Sequence, residues 1–228
     1  MTPPIRTDRA AMGELFIWTD IDPAHETDFN RWYDREHMAE RAAIPGFVWS
    51  RRYRAAAGVR PYLALYRTES LDVFHSEPYR QAFGQQTEWS HANFARMRDT
   101  RRRVMTVSPL GGAGTGSALG LLCLGDIAKA RRAADLAEAA LRIDGVLALR
   151  VLTPDPALST PLPSEDLATR VLEPVLLVEA TSGAAASDAI HQQAHGLGLP
   201  AAQARTFDLL WDLRADDLHA AKTVAEQP

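Results

Sequence analysis

One order of elements runs through the chain twice, and that repetition limits the folds open to it more than any other feature. The first pass begins with Gly13–Asp20, rich in aromatic and β-branched residues and therefore a strand. Asp22-Pro23 supplies a helix cap and a first-turn proline, and the helix that follows reaches Ala42, where Ile44-Pro45-Gly46 stops it. Strands are expected over Phe47–Arg54 and Tyr62–Arg67, a helical region interrupted near Pro78 and Gly84 over Ser70–Met97, and a fourth strand over Arg101–Ser108. The order is β-α-β-β-α-β, a split βαβ or ferredoxin-like unit.

The second pass has strands over Ala118–Leu124, Val146–Thr153, Val171–Ala180 and Thr206–Leu213, with helices over Ala128–Ile143 and Ser187–His195. Its punctuation matches the first: Asp126-Ile127 answers Asp20-Ile21, Ile143-Asp144-Gly145 answers Ile44-Pro45-Gly46, and Pro174 answers Pro61. We therefore expect an α+β chain of two tandem ferredoxin-like units, 13–108 and 118–215, joined by a Gly-rich linker at 109–117 that suits a flexible connector. The proline-rich stretch Pro154–Asp166 reads as an irregular surface insertion.

The two passes differ in content. Of 17 aromatic residues, 15 precede Leu110, and the halves on either side of it carry +2 and −6. Carrying the punctuation offsets through sets Trp18 against Leu124, Tyr33 against Arg132, His37 against Leu136 and Tyr66 against Glu179, so chemistry is expected in the first unit. A net charge of −4 supplies no general field for nucleic acid or an anionic membrane. A single cysteine, a polar opening (MTPPIRTDRA) and no long apolar run lead us to expect a soluble, cytoplasmic protein without disulfides.

In a ferredoxin-like unit both helices cover one face of the sheet, so an apolar opposite face must be buried by something else. The sets Glu14-Phe16-Trp18-Asp20, Phe47-Trp49-Arg51-Tyr53 and Tyr62-Ala64-Tyr66 are too apolar for water and too polar for a dry core. They suit either the walls of a ligand chamber between two sheets or a filled sheet-to-sheet interface. The units are expected to pair sheet to sheet, preferentially within one chain, with a homodimer as a further level of assembly.

Phe29-Asn30-Arg31-Trp32-Tyr33-Asp34-Arg35-Glu36-His37, followed by Ile44-Pro45-Gly46-Phe47, resembles the first-helix signature of the EthD-like families of the dimeric α/β-barrel superfamily. That signature is a Phe, an aromatic four residues on, a His eight residues on, and Pro-Gly opening the second strand. The resemblance implies paired sheets enclosing a cavity for a small organic molecule. Relatives include cofactor-free isomerases, cyclases and monooxygenases, and haem enzymes built from tandem units.

Candidate site residues follow from this. His37 is the candidate general acid or base, Tyr33 its helper one turn earlier, and Trp18, Asp20, Trp49, Tyr62 and Tyr66 the candidate ligand-binding walls. The helix C-terminus would raise the His37 pKa and burial would lower it; Asp34, Glu40 and Arg41 have the spacing to touch it. His191 and His195 have helical metal-site spacing but no third ligand, so no metal is assigned. His75 and His91 read as half-buried packing, Cys123 as an inert core thiol, and Arg101-Arg102-Arg103 as a solvated edge or an anion contact.

Three functional classes stay open. One is a cofactor-free enzyme, of isomerase, cyclase, dehydratase or lyase type, acting on a small aromatic, lactone or polyketide-like substrate. The second is a non-catalytic small-molecule binding or interaction module, and the third a haem enzyme of the tandem-unit kind.

Overall fold

The computed structural model describes residues 11–218; the opening segment 1–10 and His219 lie outside it. Eight strands form a closed antiparallel barrel. They are β1 (Gly13–Ile21), β2 (Phe47–Arg54), β3 (Tyr62–Thr68), β4 (Met97–Gly112), β5 (Ala118–Cys123), β6 (Val146–Pro154), β7 (Val175–Ala180) and β8 (Ala204–Arg214). Their order around the barrel is β1-β3-β2-β8-β5-β7-β6-β4. Each half thus contributes a four-stranded ferredoxin-like sheet, β4-β1-β3-β2 or β8-β5-β7-β6, and the two close within one chain through β2 on β8 and β4 on β6.

Helices coat the outside. Over the first sheet lie α1 (Glu26–Trp32), a π turn (Tyr33–His37), α2 (Met38–Ala42), α3 (Glu77–Gly84) and α4 (Glu88–Arg96); over the second lie α5 (Ile127–Leu141) and α6 (Gly183–Gly196). Side chains placed for capping start them: Ser76, Thr87, Asp126 and Ser182 each accept from a backbone N–H three residues on. Pro78 falls in the first turn of α3, where it starts a helix rather than kinking one. In both halves a glycine in left-handed backbone, Gly46 at φ +88° and Gly145 at φ +87°, turns the chain after the first helix into the next strand. No helix among the described residues is long and apolar enough to cross a membrane.

The connector is shorter than expected. Pro109–Gly112 belongs to β4 and pairs with β6 across a bulge between Pro109 and Gly111, so only residues 113–117 lie outside the ladder. This 16-residue strand pairs with β1 in its first part and β6 in its second, which joins the two sheets.

The barrel interior corrects the expected chamber. Phe16, Trp18, Trp49, Tyr53, Leu63, Leu65, Met105, Leu119, Leu121, Leu152, Leu177 and Phe207 fill it as one core. Its charged groups pair with one another. Arg67 meets Glu14 at 2.6 Å, and Arg150 bridges Glu14 (3.3 Å) and Glu179 (2.8 Å). Arg51 lies 3.8 Å from Glu179 and 2.6 Å from Asp212, completing an alternating chain of three cations and three anions. The two guanidiniums hold the Glu14 carboxyl below the usual carboxylate range despite complete burial.

Two face assignments fail for a stated reason. On β3 it is Leu63, Leu65 and Arg67 that line the interior, while Tyr62, Ala64 and Tyr66 face the helices. Both faces of this strand are apolar, so alternation alone cannot choose between them. On β2 a register shift between Phe47 and Trp49 sends Phe47 outward and Trp49 inward. Two offset matches between halves also fall on opposite faces: Trp18 is interior where Leu124 is exterior, and Tyr66 is exterior where Glu179 is interior.

Replacing Arg150 with Met would remove the cation shared by the buried Glu14 and Glu179, leaving them only Arg67 and Arg51. The expected cost is about 3–5 kcal/mol, read as a lowered urea midpoint with an unchanged slope.

Candidate functional site

The first helical face carries the aromatic load of the chain, and its packing starts from the π turn. Met38 N–H donates to the Tyr33 carbonyl five residues back, widening the helix by one residue. In a regular helix residues five apart face different directions; here Trp32 and His37 stack at 4.2 Å with their planes 29° apart. Tyr33 (5.3 Å), Phe94 (5.7 Å) and Tyr66 (6.3 Å) present edges to the same imidazole. Glu36 holds this turn against α4, accepting from Trp32 Nε1 (3.2 Å), Thr87 Oγ1 (2.6 Å) and Ser90 Oγ (3.2 Å).

Beside the imidazole opens a cavity of about 570 Å³ between the outer sheet face and the helices. Leu15, Ile17, Tyr66, Thr100 and Arg102 form its floor, Tyr33, His37 and Arg41 one wall, and Tyr79, Phe83, His91 and Phe94 the other. Leu162, Pro163 and Ser164 cover it from the second half. They belong to the segment between β6 and β7, residues 155–174, which is tied to β4 and stays irregular beyond the expected insertion, through residues 171–174 where the sequence predicts a strand. Ser159 exchanges hydrogen bonds with the Val104 backbone (3.0 Å each way), and Glu165 bridges Arg103 (2.5 Å) and Arg170 (3.0 Å).

Burial pushes the His37 pKa well below 6.5, and the Arg41 and Arg52 guanidiniums push the same way. The imidazole is therefore neutral. Its Nδ1 is sealed and, among the described residues, has no hydrogen-bond partner, lying 3.8 Å from Glu40 Oε2, whereas Nε2 is not sealed. The Tyr66 hydroxyl is also sealed, close enough to that of Tyr33 for each to shift the other. Burial raises both phenols, Tyr66 well above 10, so both keep their protons. Arg52 stands behind Tyr33, 4.2 Å from its ring, and donates to Asn30 Oδ1 at 2.5 Å.

The seven residues proposed from sequence divide into groups. His37, Tyr33 and Tyr66 meet at the cavity. Trp18 and Trp49 do not: they lie on the other side of the sheet in the barrel core, Trp18 with Arg60 and Arg101 over its ring (5.2 and 5.6 Å) and Trp49 with Arg51 at 4.0 Å. Tyr62 faces the helices but acts as a tether, donating to Glu26 Oε1 at 2.5 Å and accepting from Asn30 at 3.2 Å. Asp20 accepts from the Ile21 backbone at the end of β1 and lines no cavity with His37.

Sequence reasoning named Arg41 as a neighbour of His37, Arg102 as part of a solvated edge or an anion contact, and the covering loop as a surface insertion, without placing any of them at a shared cavity. Arg41 had a signal, since Phe29, Tyr33, His37 and Arg41 form a four-residue stripe. Arg102 alternates away from Arg101 and Arg103 into the cavity, where it donates to Tyr79 Oη (2.9 Å) and the Leu158 carbonyl (3.3 Å). The loop had none, because its contact is set by barrel closure.

The second half encloses no matching cavity among those described. Ala130, Ala133, Ala137 and Ala140 of α5 and Ala186, Ala189 and Ala194 of α6 let those helices lie close against their sheet. His191 and His195 are exposed on α6, with His191 Nδ1 against the Ser187 carbonyl at 2.7 Å, so neither is aimed into a pocket that could hold haem. Among the described residues no cluster of three His, Cys, Asp or Glu could hold a metal ion. Cys123 is half-buried, its thiol pushed up to about 12 by burial and by Glu173.

No protein-family model and no curated protein sequence matches the chain. Solved structures match its fold. One described as an anthrone oxidase-like protein superposes with a TM-score of 0.59 at 12% identity, over 92% of this chain and 94% of its own. A candidate monooxygenase from Lactobacillus acidophilus gives 0.53 at 7% identity, over 90% and 97%. A candidate chlorite dismutase gives 0.52 at 12% identity, over 92% and 99%. The fold is that of the dimeric α/β-barrel proteins, with both sheets supplied by one chain.

A depressed His37 pKa has a thermodynamic sign. Below about pH 6.5 the unfolded chain gains a proton at this position that the folded protein refuses, so stability falls as pH drops from there toward the folded value. Thermal midpoints measured between pH 7.5 and 5 should decline for the wild type, and His37→Gln should flatten that decline by up to about 1.4 kcal/mol per pH unit.

Proposed function

We propose that the chain is a small-molecule enzyme that uses His37 as a general base, without a cofactor, on an aromatic, lactone or polyketide-like substrate. One observation carries this reading: a neutral, aromatic-boxed imidazole with one nitrogen sealed stands at the wall of a cavity large enough for two or three fused rings. The EthD-like resemblance of Phe29, Tyr33, His37 and Pro45-Gly46 supports the choice of residue. The anthrone oxidase-like and monooxygenase descriptions of structural neighbours are consistent with small organic substrates.

The step is a proton transfer. His37 Nε2 takes a proton from a carbon next to a carbonyl, and the C–H electron pair moves onto the carbonyl oxygen as an enolate. Tyr33, protonated and on the same wall, donates its hydroxyl to that oxygen. The imidazolium returns the proton to a different carbon, completing an isomerisation that consumes no oxidant. The Leu162–Ser164 cover excludes water from the intermediate.

The test is hydrogen–deuterium exchange at carbon in D2O, followed by NMR with 2-tetralone, anthrone and dihydrocoumarin as probes. Wild-type protein should accelerate exchange over buffer, and His37→Gln should remove about 10²–10⁴-fold of that acceleration while the protein stays folded. The acidic limb of the rate profile should lie below pH 6.5, where the imidazole begins to titrate. Binding of a probe with no acceleration would reassign the chain to a binding module. A Soret band in protein purified from haem-supplied cells would reassign it to haem chemistry.

A further inference from the structure

The cavity contains a charge imbalance that the proposed chemistry does not use. Its lining includes two guanidiniums, Arg41 and Arg102, and no Asp or Glu. Arg102 is satisfied by neutral acceptors, Tyr79 and the Leu158 carbonyl. Arg41 is 5% exposed, and among the described residues its side chain makes no hydrogen bond and no ion pair. Its position is close enough to the His37, Tyr33 and Tyr66 groups to shift all three. A guanidinium that faces a cavity without a carboxylate to pair with keeps its donors available to an anionic ligand.

Resting on the reading of the His37 cavity as a ligand site, we infer that the ligand is an organic anion whose oxyanion sits on the Arg41 guanidinium. Arg41 follows His37 by one turn on the same helix face, which puts the cation beside the imidazole and the two phenols. Much of the remaining lining is apolar, with Leu15, Ile17, Phe83, Phe94 and Met97. Such a lining fits a fused-ring body carrying a carboxylate, sulfonate or phenolate at one edge. A planar guanidinium suits such oxyanions because it donates two parallel hydrogen bonds. The anionic group is then the ligand's counterion to Arg41, and it sets which edge of the ring system meets His37.

Two fluorescent probes with one aromatic body separate charge from shape: 1-anilinonaphthalene-8-sulfonate and its uncharged counterpart N-phenyl-1-naphthylamine. Wild-type protein should bind the sulfonate at least tenfold more tightly, at one site per chain. Arg41→Met should erase that preference by weakening the sulfonate alone, and Arg41→Lys should retain part of it. Without ligand, Arg41→Met should melt at the same temperature as the wild type or higher, whereas a structural arginine would lower the midpoint. The inference is overturned if wild-type protein binds both probes equally, or if the preference survives Arg41→Met. Should that variant fail to fold, the wild-type ratio and its reduction by Arg41→Lys decide the matter. His37→Gln should leave the ratio intact, so loss of carbon exchange with a retained preference rejects only the catalytic reading, and loss of the preference with intact exchange rejects only the anion site.

Discussion

The rest of the molecule is arranged around an alternating chain of charges inside the barrel, Arg67, Glu14, Arg150, Glu179 and Arg51, that ends on the solvent-exposed Asp212. Removing these groups from water is costly, and only close opposite partners offset that cost. The chain crosses between the two halves, since Glu14 of the first reaches Arg150 of the second and Arg51 of the first sits between Glu179 and Asp212 of the second. Neither sheet alone could bury its share of the chain. The register of β1 against β3 is set by the same pairing, with Glu14 directly across from Arg67.

With the interior closed by this chain and by packed apolar residues, space for a ligand has to arise on the other face of a sheet. Two helical faces are available, and side-chain volume decides between them. Over the second sheet, alanines bring α5 and α6 close. Over the first, Phe29, Trp32, Tyr33, Tyr66 and Tyr79 fill the gap between helix and sheet unevenly and leave a cavity beside His37. The π turn contributes directly, because the extra residue brings His37 onto Trp32 and holds the imidazole where burial keeps it neutral. The second half still takes part, since the Leu162–Ser164 segment that covers the cavity hangs from its β6–β7 connection.

The element order, the repeat, the helix stops at Gly46 and Gly145 and the two-sheet architecture were legible in the chain because each depends on local signals: caps, breakers and hydrophobic period. The grouping of His37 with Tyr33 was legible for the same reason, as residues four apart on one helix share a face. What those signals determined was a pair of ferredoxin-like sheets and an aromatic first half. The choice of face on β3, the outward turn of Phe47 and the absorption of Pro109–Gly112 into β4 were decided only by strand pairing across the closed barrel. The mutual neutralisation of Glu14, Arg51 and Arg67 with Arg150, Glu179 and Asp212, which turned an expected chamber into a core, required contacts between residues as many as 161 positions apart. The cavity beside His37, the placement of Arg41 and Arg102 at its wall and the cover from residues 162–164 were likewise decided by tertiary structure, because an enclosed volume and an unpaired charge are properties of several segments packed together and of none of them alone.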